Sequence, residues 1–150
     1  MPQVRSCTMS DITVYGATGL VGQLVARYLA SIDAPSVTLA GRNRPLLAAL
    51  RDEFNPHWDI AIASAEDATA VERMVQRTQV VITVVGPYTL YGDNVIAACA
   101  EHGVDYVDLC GEVPFIRSSI DSHHAAAQSS GARIIPSCGC LLYTSRAHET

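Results

Sequence analysis

Three equally spaced glycines, Gly16, Gly19 and Gly22, are the residues of this chain best suited to bind a phosphate. They follow a short stretch, Ile12–Tyr15, that favours a strand, and they precede apolar residues at helical spacing. Such a turn lets main-chain N–H groups approach a pyrophosphate, and the helix N-terminus adds unpaired donors. The spacing is Gly-x-x-Gly-x-x-Gly, so the strand-to-helix context carries the prediction of a dinucleotide site. The alternative is a tight turn whose glycines serve packing only.

Two arginines follow the second predicted strand, Val37–Ala40. An NAD site usually places an acidic residue about 20 residues after the glycine turn, where it accepts hydrogen bonds from the ribose. No acidic residue lies between Pro35 and Arg51 here, and the region holds Arg42 and Arg44 instead. A guanidinium binds a 2′-phosphate through paired hydrogen bonds. We therefore expect NADP(H) rather than NAD(H), unless both arginines are solvated loop charges.

The most hydrophobic run of the chain, Val80–Val85, is typical of a central parallel strand covered on both faces. Gly86-Pro87-Tyr88 follows it, at the place where a nicotinamide ring would lie. Glycine leaves room for a flat ring, and proline restricts the backbone. Tyr88 or Tyr91 is a candidate to face the reacting centre. The alternative, loop packing with the hydroxyls hydrogen-bonded, stays open.

A second polar cluster, His102, Asp105, Asp108 and Glu112, does not predict a metal site. Asp105 and Asp108 belong to one predicted strand and point to opposite faces, because side chains alternate along a strand. Cys110 lies nearby, but nothing in the sequence indicates the lowered pKa that a nucleophilic thiol needs. We expect no metal site, and no catalytic residue is assigned.

Strands and helices alternate along the chain. Six strands are predicted, at Ile12–Tyr15, Val37–Ala40, Ile60–Ala63, Val80–Val85, Val104–Leu109 and Ala132–Pro136. The helices between them are expected to begin near Leu20, Asn43, Asp67, Asn94 and Ser119. This alternation predicts an α/β fold, a doubly wound six-stranded parallel sheet of the Rossmann type with strand order 3-2-1-4-5-6.

The composition excludes several classes of protein. The chain has 150 residues, a formal net charge of −5 and no lysine. It therefore cannot contain the Tyr-x-x-x-Lys pair of short-chain dehydrogenases or the lysine of a Walker loop. The negative charge argues against nucleic acid or an anionic membrane as main partner, and no stretch approaches the ~20 apolar residues of a membrane span. Five cysteines without a disulfide rhythm indicate a reducing cytoplasm.

Several segments in fixed order carry a family resemblance. They are Asp11–Gly19, Leu39–Arg42, Val85–Tyr88, Tyr106–Glu112 and Pro136–Gly139. The set resembles the N-terminal domain of saccharopine dehydrogenase-like oxidoreductases, and within them the trans-acting enoyl reductases of lipid and polyketide assembly. The resemblance covers about residues 9–139. It implies NADP(H)-dependent hydride transfer from the nicotinamide C4 to an activated double bond.

The resemblance also implies roles for individual residues. Gly16, Thr18, Gly19 and Gly22 would serve the pyrophosphate, Arg42 the 2′-phosphate, and residues 86–88 the nicotinamide side. The expected cofactor-binding residues are Gly16, Ala17, Thr18, Gly19, Leu20, Val21, Gly22, Gly41, Arg42, Val85, Gly86, Pro87 and Tyr88. Two other functions remain open, namely an imine-reducing dehydrogenase of the saccharopine type and a non-catalytic NADP(H)-sensing module.

The resemblance ends at Gly139, where family members continue into a large substrate domain. Residues 140–150 instead resemble a translated transposase adapter from library preparation, since TGT CTC TTA TAC ACA TCT encodes Cys-Leu-Leu-Tyr-Thr-Ser. We expect a flexible extension at 1–10, an NADP-binding domain at 11–139 and a non-native tail at 140–150. The missing domain would hold a small-molecule or acyl-chain substrate. The fragment alone is expected to be inactive, because hydride transfer needs a substrate held in place.

Overall fold

The sheet has the predicted architecture. The computed structural model describes residues 9–34 and 36–139, so residues 1–8 of the extension expected at 1–10, and the expected tail, lie outside the described residues. Ser10 is buried and belongs to the first strand rather than to an extension. The strands are β1 Ser10–Tyr15, β2 Val37–Gly41, β3 Asp59–Ile62, β4 Thr78–Thr83, β5 Asp105–Asp108 and β6 Ile134–Ile135. They form one parallel sheet in the order β3-β2-β1-β4-β5-β6, which confirms the predicted strand order.

The helices begin and end at residues with clear capping roles. They are α1 Leu20–Ser31, α2 Arg44–Phe54, α3 Ala68–Val75, α4 Tyr88–Tyr91, α5 Asp93–His102 and α6 Val113–Ser130. The side chain of Asn43 accepts a hydrogen bond from the backbone N of Leu46 at 3.1 Å, and Asp67 caps α3 in the same way. Gly103 and Gly131 end α5 and α6 with left-handed φ values of 71° and 85°.

Several element boundaries differ from the prediction, and two of them bear on the site. Helix α6 begins at Val113, before the expected Ser119, and Pro114 lies in its first turn, where proline is tolerated. Strand β4 ends at Thr83, so Val84 and Val85 belong to the following loop. The single-turn helix α4 comes after that loop and was not predicted.

Helices cover both faces of the sheet, as a doubly wound fold requires. On one face, α1 and α2 enclose a core around Val14, Leu39, Leu47 and Trp58, all almost completely buried. On the other face, side chains of α3, α5 and α6 pack against the inner strands. The two cores hold the carboxyl ends of the strands in a row at one edge.

Candidate cofactor-binding site

A cleft of about 300 Å³ lies at the carboxyl ends of β1, β2, β3 and β4. Strand β1 is paired with β2 on one side and with β4 on the other. The chain therefore continues from β1 toward one end of the sheet and from β4 toward the other end. Such a switch point is where open α/β sheets bind their ligands. The lining residues are Tyr15, Gly16, Thr18, Gly19, Gly41, Arg42, Ala63, Ser64, Ala65, Glu66, Val84, Val85, Gly86 and Tyr91.

A larger cleft, of about 610 Å³, lies at the opposite edge, where β4 and β5 begin. Helices α5 and α6 end there at Gly103 and Gly131, so they present C=O groups rather than N–H groups. The guanidinium in this cleft, Arg133, is already paired with Asp105. A phosphorylated ligand needs N–H donors and positive charge, so the smaller cleft suits it better.

The glycine turn is shaped by close backbone approaches. Gly16 has a φ of 91°, a conformation that side chains disfavour, and its N–H donates to the Ala40 carbonyl at 2.9 Å. A Cβ on Gly22 would lie 2.2 Å from the Gly16 carbonyl oxygen, so this glycine lets α1 pack against the turn. Gly19 precedes α1 and supplies no side-chain cap, which leaves the first N–H groups of α1 open to an anion.

Arg42 stands in the cleft directly after β2. Its side chain is exposed, and within the described residues it has no hydrogen-bond or ion-pair partner. Arg44 begins α2 and does not line the cleft. Of the two arginines in the predicted region, only Arg42 is therefore in a position to bind a phosphate in this cleft.

The two candidate tyrosines lie in different surroundings. The Tyr88 hydroxyl donates to the Thr83 carbonyl at 3.2 Å and accepts from the Leu109 N–H at 3.3 Å. Burial raises the pKa of Tyr88 to about 12. The side chain of Tyr91 lines the cleft instead. Tyr88 thus has the packed, hydrogen-bonded arrangement, and Tyr91 is the tyrosine presented to a ligand.

Several expected binding residues lie beside the cleft rather than in its lining. Ala17 is completely buried, and Leu20 and Val21 are exposed on α1. Gly22, Pro87 and Tyr88 shape the turn or the loop without lining the cleft. The Gly86–Pro87 peptide bond is cis.

The loop after β3, residues 63–66, lines the cleft but was not among the expected site residues. The predicted strand order could have revealed this loop, because it places the end of β3 beside the end of β2. Ser64 and Glu66 add a hydroxyl and a carboxylate at that end.

The polar side chains of β5 form hydrogen bonds that hold this edge of the sheet together. Asp108 is 1% exposed and accepts hydrogen bonds from the Tyr106 hydroxyl at 2.6 Å and from the backbone N of Cys110 and Ser137, both at 2.8 Å. Burial raises the pKa of the Cys110 thiol, which disfavours the reactive thiolate. Across residues 9–34 and 36–139, no group of three His, Cys, Asp or Glu side chains is placed to hold a metal ion.

Comparison with known proteins identifies the family. Residues 12–135 match the family described as saccharopine dehydrogenase NADP binding domain. Trans-acting enoyl reductases from Mycobacterium leprae (strain TN) and Mycobacterium ulcerans (strain Agy99) are 47% and 45% identical over 133 residues. These matches cover 86% of this chain and 32% of each relative, so the chain spans about a third of the length of the curated relatives it matches.

A solved structure has the same fold. Saccharopine dehydrogenase (L-Glu forming) from Saccharomyces cerevisiae superposes with a TM-score of 0.72 at 23% identity, over 92% of this chain and 30% of the other. Among the residues that the structure describes, no helix is long and apolar enough to cross a membrane. The resemblance found in the sequence is confirmed: the chain belongs to the saccharopine dehydrogenase NADP-binding domain family.

Proposed function

We propose that this chain is the NADP(H)-binding part of a reductase that delivers hydride to an activated carbon–carbon double bond. The observation that carries the proposal is the cleft, which joins a glycine turn at a helix N-terminus to the guanidinium of Arg42, a group without a partner among the residues that the structure describes. The relatives named trans-acting enoyl reductase support the double bond as the group reduced.

The open backbone of the turn suits the cofactor. The segment from Gly16 to Gly19 and the first N–H groups of α1 would bind the pyrophosphate, and Arg42 would bind the 2′-phosphate. The loop 63–66 would then lie near the adenosine half, since it borders Arg42 in the cleft. Gly86 and Tyr91 would flank the nicotinamide. When bound, the cofactor supplies the hydride from its C4 carbon.

We also propose assignments for the other segments of the protein. Residues 11–139 are the cofactor domain, and residues 140–150 are not native. A further domain would hold a small-molecule or acyl-chain substrate. Cys99, Cys110 and Cys138 are free thiols, which supports a reducing cytoplasm. Sequencing the genomic locus tests the tail, because an uninterrupted native frame that encodes residues 140–150 would refute the assignment.

The reaction is tested with the full-length protein that contains this domain. We expect NADPH to be consumed with an enoyl thioester and not with an imine of an amino acid and a keto acid. Consumption with the imine alone would instead favour a dehydrogenase of the saccharopine type. Cofactor binding without turnover of either substrate would favour a sensing module.

A further inference from the structure

Glu112 connects two loops at the carboxyl edge of the sheet. Its Oε1 accepts a hydrogen bond from the backbone N of Tyr88 at 2.8 Å, and its Oε2 accepts one from the backbone N of Thr89 at 2.9 Å and another from the Thr89 hydroxyl. We call these three hydrogen bonds the Glu112 clamp. Because N–H groups at a helix start have no partner within the helix, the clamp satisfies two of them in α4 while joining α4 to the start of α6.

Helix α4 has four residues and depends on contacts from outside itself. The Phe115 ring, in the first turn of α6, lies with its centroid 6.0 Å from that of Tyr88. A Cβ on Gly92 would lie 2.5 Å from Cζ of Phe115, so the end of α4 also rests on this ring. The polar clamp and the apolar contact of Phe115 together determine where α4 lies.

The position of α4 in turn sets one wall of the cleft. Gly86 lies just before α4 and Tyr91 is its last residue, and both line the cleft. We propose that Glu112 is a positioning residue for the cofactor, which fixes segment 86–91 as the wall for the nicotinamide ring through the Glu112 clamp. This inference rests on the proposed binding of NADP(H).

An ionised carboxylate suits this role. It offers two oxygens to three donors, and hydrogen bonds to an ionised acceptor are roughly twice as strong as neutral ones. The Thr89 hydroxyl and N–H, with the Tyr88 N–H, hold the pKa of Glu112 below its ordinary value, so the clamp is complete at neutral pH. Glu112 is only half-buried, and water can solvate the freed N–H groups. Its removal is therefore expected to loosen α4 without unfolding the domain.

The test compares two ligands that share the adenosine half and the 2′-phosphate. NADPH contains the nicotinamide, and adenosine 2′,5′-bisphosphate lacks it. In calorimetric titrations of the full chain, Glu112→Ala is expected to weaken NADPH binding about tenfold and to change bisphosphate binding by less than about twofold. Glu112→Gln keeps one acceptor oxygen and is expected to give a smaller loss, again for NADPH alone.

Two further variants make the test specific. Asp121→Ala removes an exposed carboxylate of α6, one that accepts from Arg117 Nε at 2.9 Å, and is expected to change neither affinity. Thr89→Val removes one donor of the Glu112 clamp and is expected to weaken NADPH binding selectively. Equal loss of both ligands with Glu112→Ala, or loss of neither, would overturn the role of Glu112 while cofactor binding stands. If the unsubstituted chain bound neither ligand, the proposed function and this inference would both fail.

Discussion

Arg42 carries the charge that is proposed to distinguish the two nicotinamide cofactors. Its guanidinium is exposed in the cleft and has no partner within the described residues, so it need not leave an ion pair to bind a phosphate. NADPH and NADH differ only in the 2′-phosphate that Arg42 is proposed to bind. The planar guanidinium can donate two parallel hydrogen bonds to phosphate oxygens.

Arg42→Ala is expected to weaken NADPH binding by at least about tenfold, because hydrogen bonds to charged groups contribute about 1.5–3 kcal/mol each. NADH affinity should stay the same, since NADH has no 2′-phosphate. Arg44→Ala is the matched control, because Arg44 begins α2 outside the cleft. Calorimetric titration of the three chains measures the difference. Equal losses from both substitutions would contradict a specific role for Arg42.

At this scale the sequence pointed to segments that the fold brings to one cleft, but it could not distinguish between neighbouring residues of the same type. Arg42 and Arg44 have the same charge, and only the start of α2 separates the one in the cleft from the one on the helix. Tyr88 and Tyr91 presented the same difficulty. Which hydroxyl is buried depends on contacts with Thr83 and Leu109, which come from other elements.

Among the elements, α1 is held against the glycine turn by a backbone contact. The Gly22 position faces the Gly16 carbonyl oxygen and the backbone of Ala17, and no flexible side chain lies between them. The turn and the helix can therefore approach closely only where Cβ is absent. Packing therefore accounts for the third glycine, Gly22, whereas the first two, Gly16 and Gly19, line the cleft.

Gly22→Ala is expected to destabilise the fold by about 1–3 kcal/mol, because the added methyl forces the backbone apart. Its Cβ would lie 2.2 Å from the Gly16 oxygen and 2.7 Å from the Ala17 Cα. Gly111→Ala is the control, since a Cβ there meets nothing within 4 Å. Urea unfolding of each variant measures the free energy of unfolding. An unchanged value for Gly22→Ala would show that the turn does not pack as described.

The start of β5 is connected to the segment before β6 by Asp105. Its carboxylate accepts from the backbone N of Arg133 at 3.0 Å and from Arg133 Nε at 2.9 Å. The hydrogen bond from the Arg133 side chain holds the pKa of Asp105 below its ordinary value of 3.8. A lowered pKa in the folded state means that the carboxylate stabilises the fold above the unfolded-state pKa. This stabilisation is lost as the pH falls through the folded-state pKa.

Asp105→Asn is therefore expected to lower Tm at neutral pH, and the gap from the unsubstituted chain should close as the pH falls. Thermal unfolding is measured from neutral pH to well below the ordinary pKa of 3.8, because the folded-state carboxylate takes up its proton below that value. Asp121→Asn is the control, because its ion pair with Arg117 is exposed on both sides. A gap in Tm that stays constant with pH would contradict the linkage.

Element types followed from the sequence more readily than element ends. Hydrophobic patterning and the expected helix starts near Asn43 and Asp67 were local signals, and the structure confirms them. The early start of α6 and the existence of α4 depend on Glu112 and Phe115 reaching another loop. Such contacts join residues far apart in the chain, so local patterns do not reveal them.

As a whole, the described residues form one doubly wound sheet whose carboxyl edge carries the candidate cofactor cleft. The doubly wound sheet brings the glycine turn, Arg42 and the loop after β4 to one edge, although they are distant in sequence. The relatives it matches are about three times as long as this chain. We expect the chain alone to bind cofactor without catalysing turnover.

The most direct test is a calorimetric titration of the chain with NADPH and with NADH. We expect saturable binding of one NADPH per chain, at least about tenfold tighter than that of NADH, because the 2′-phosphate adds charge-assisted hydrogen bonds. Equal affinities for the two cofactors, or no binding of NADPH, would contradict it.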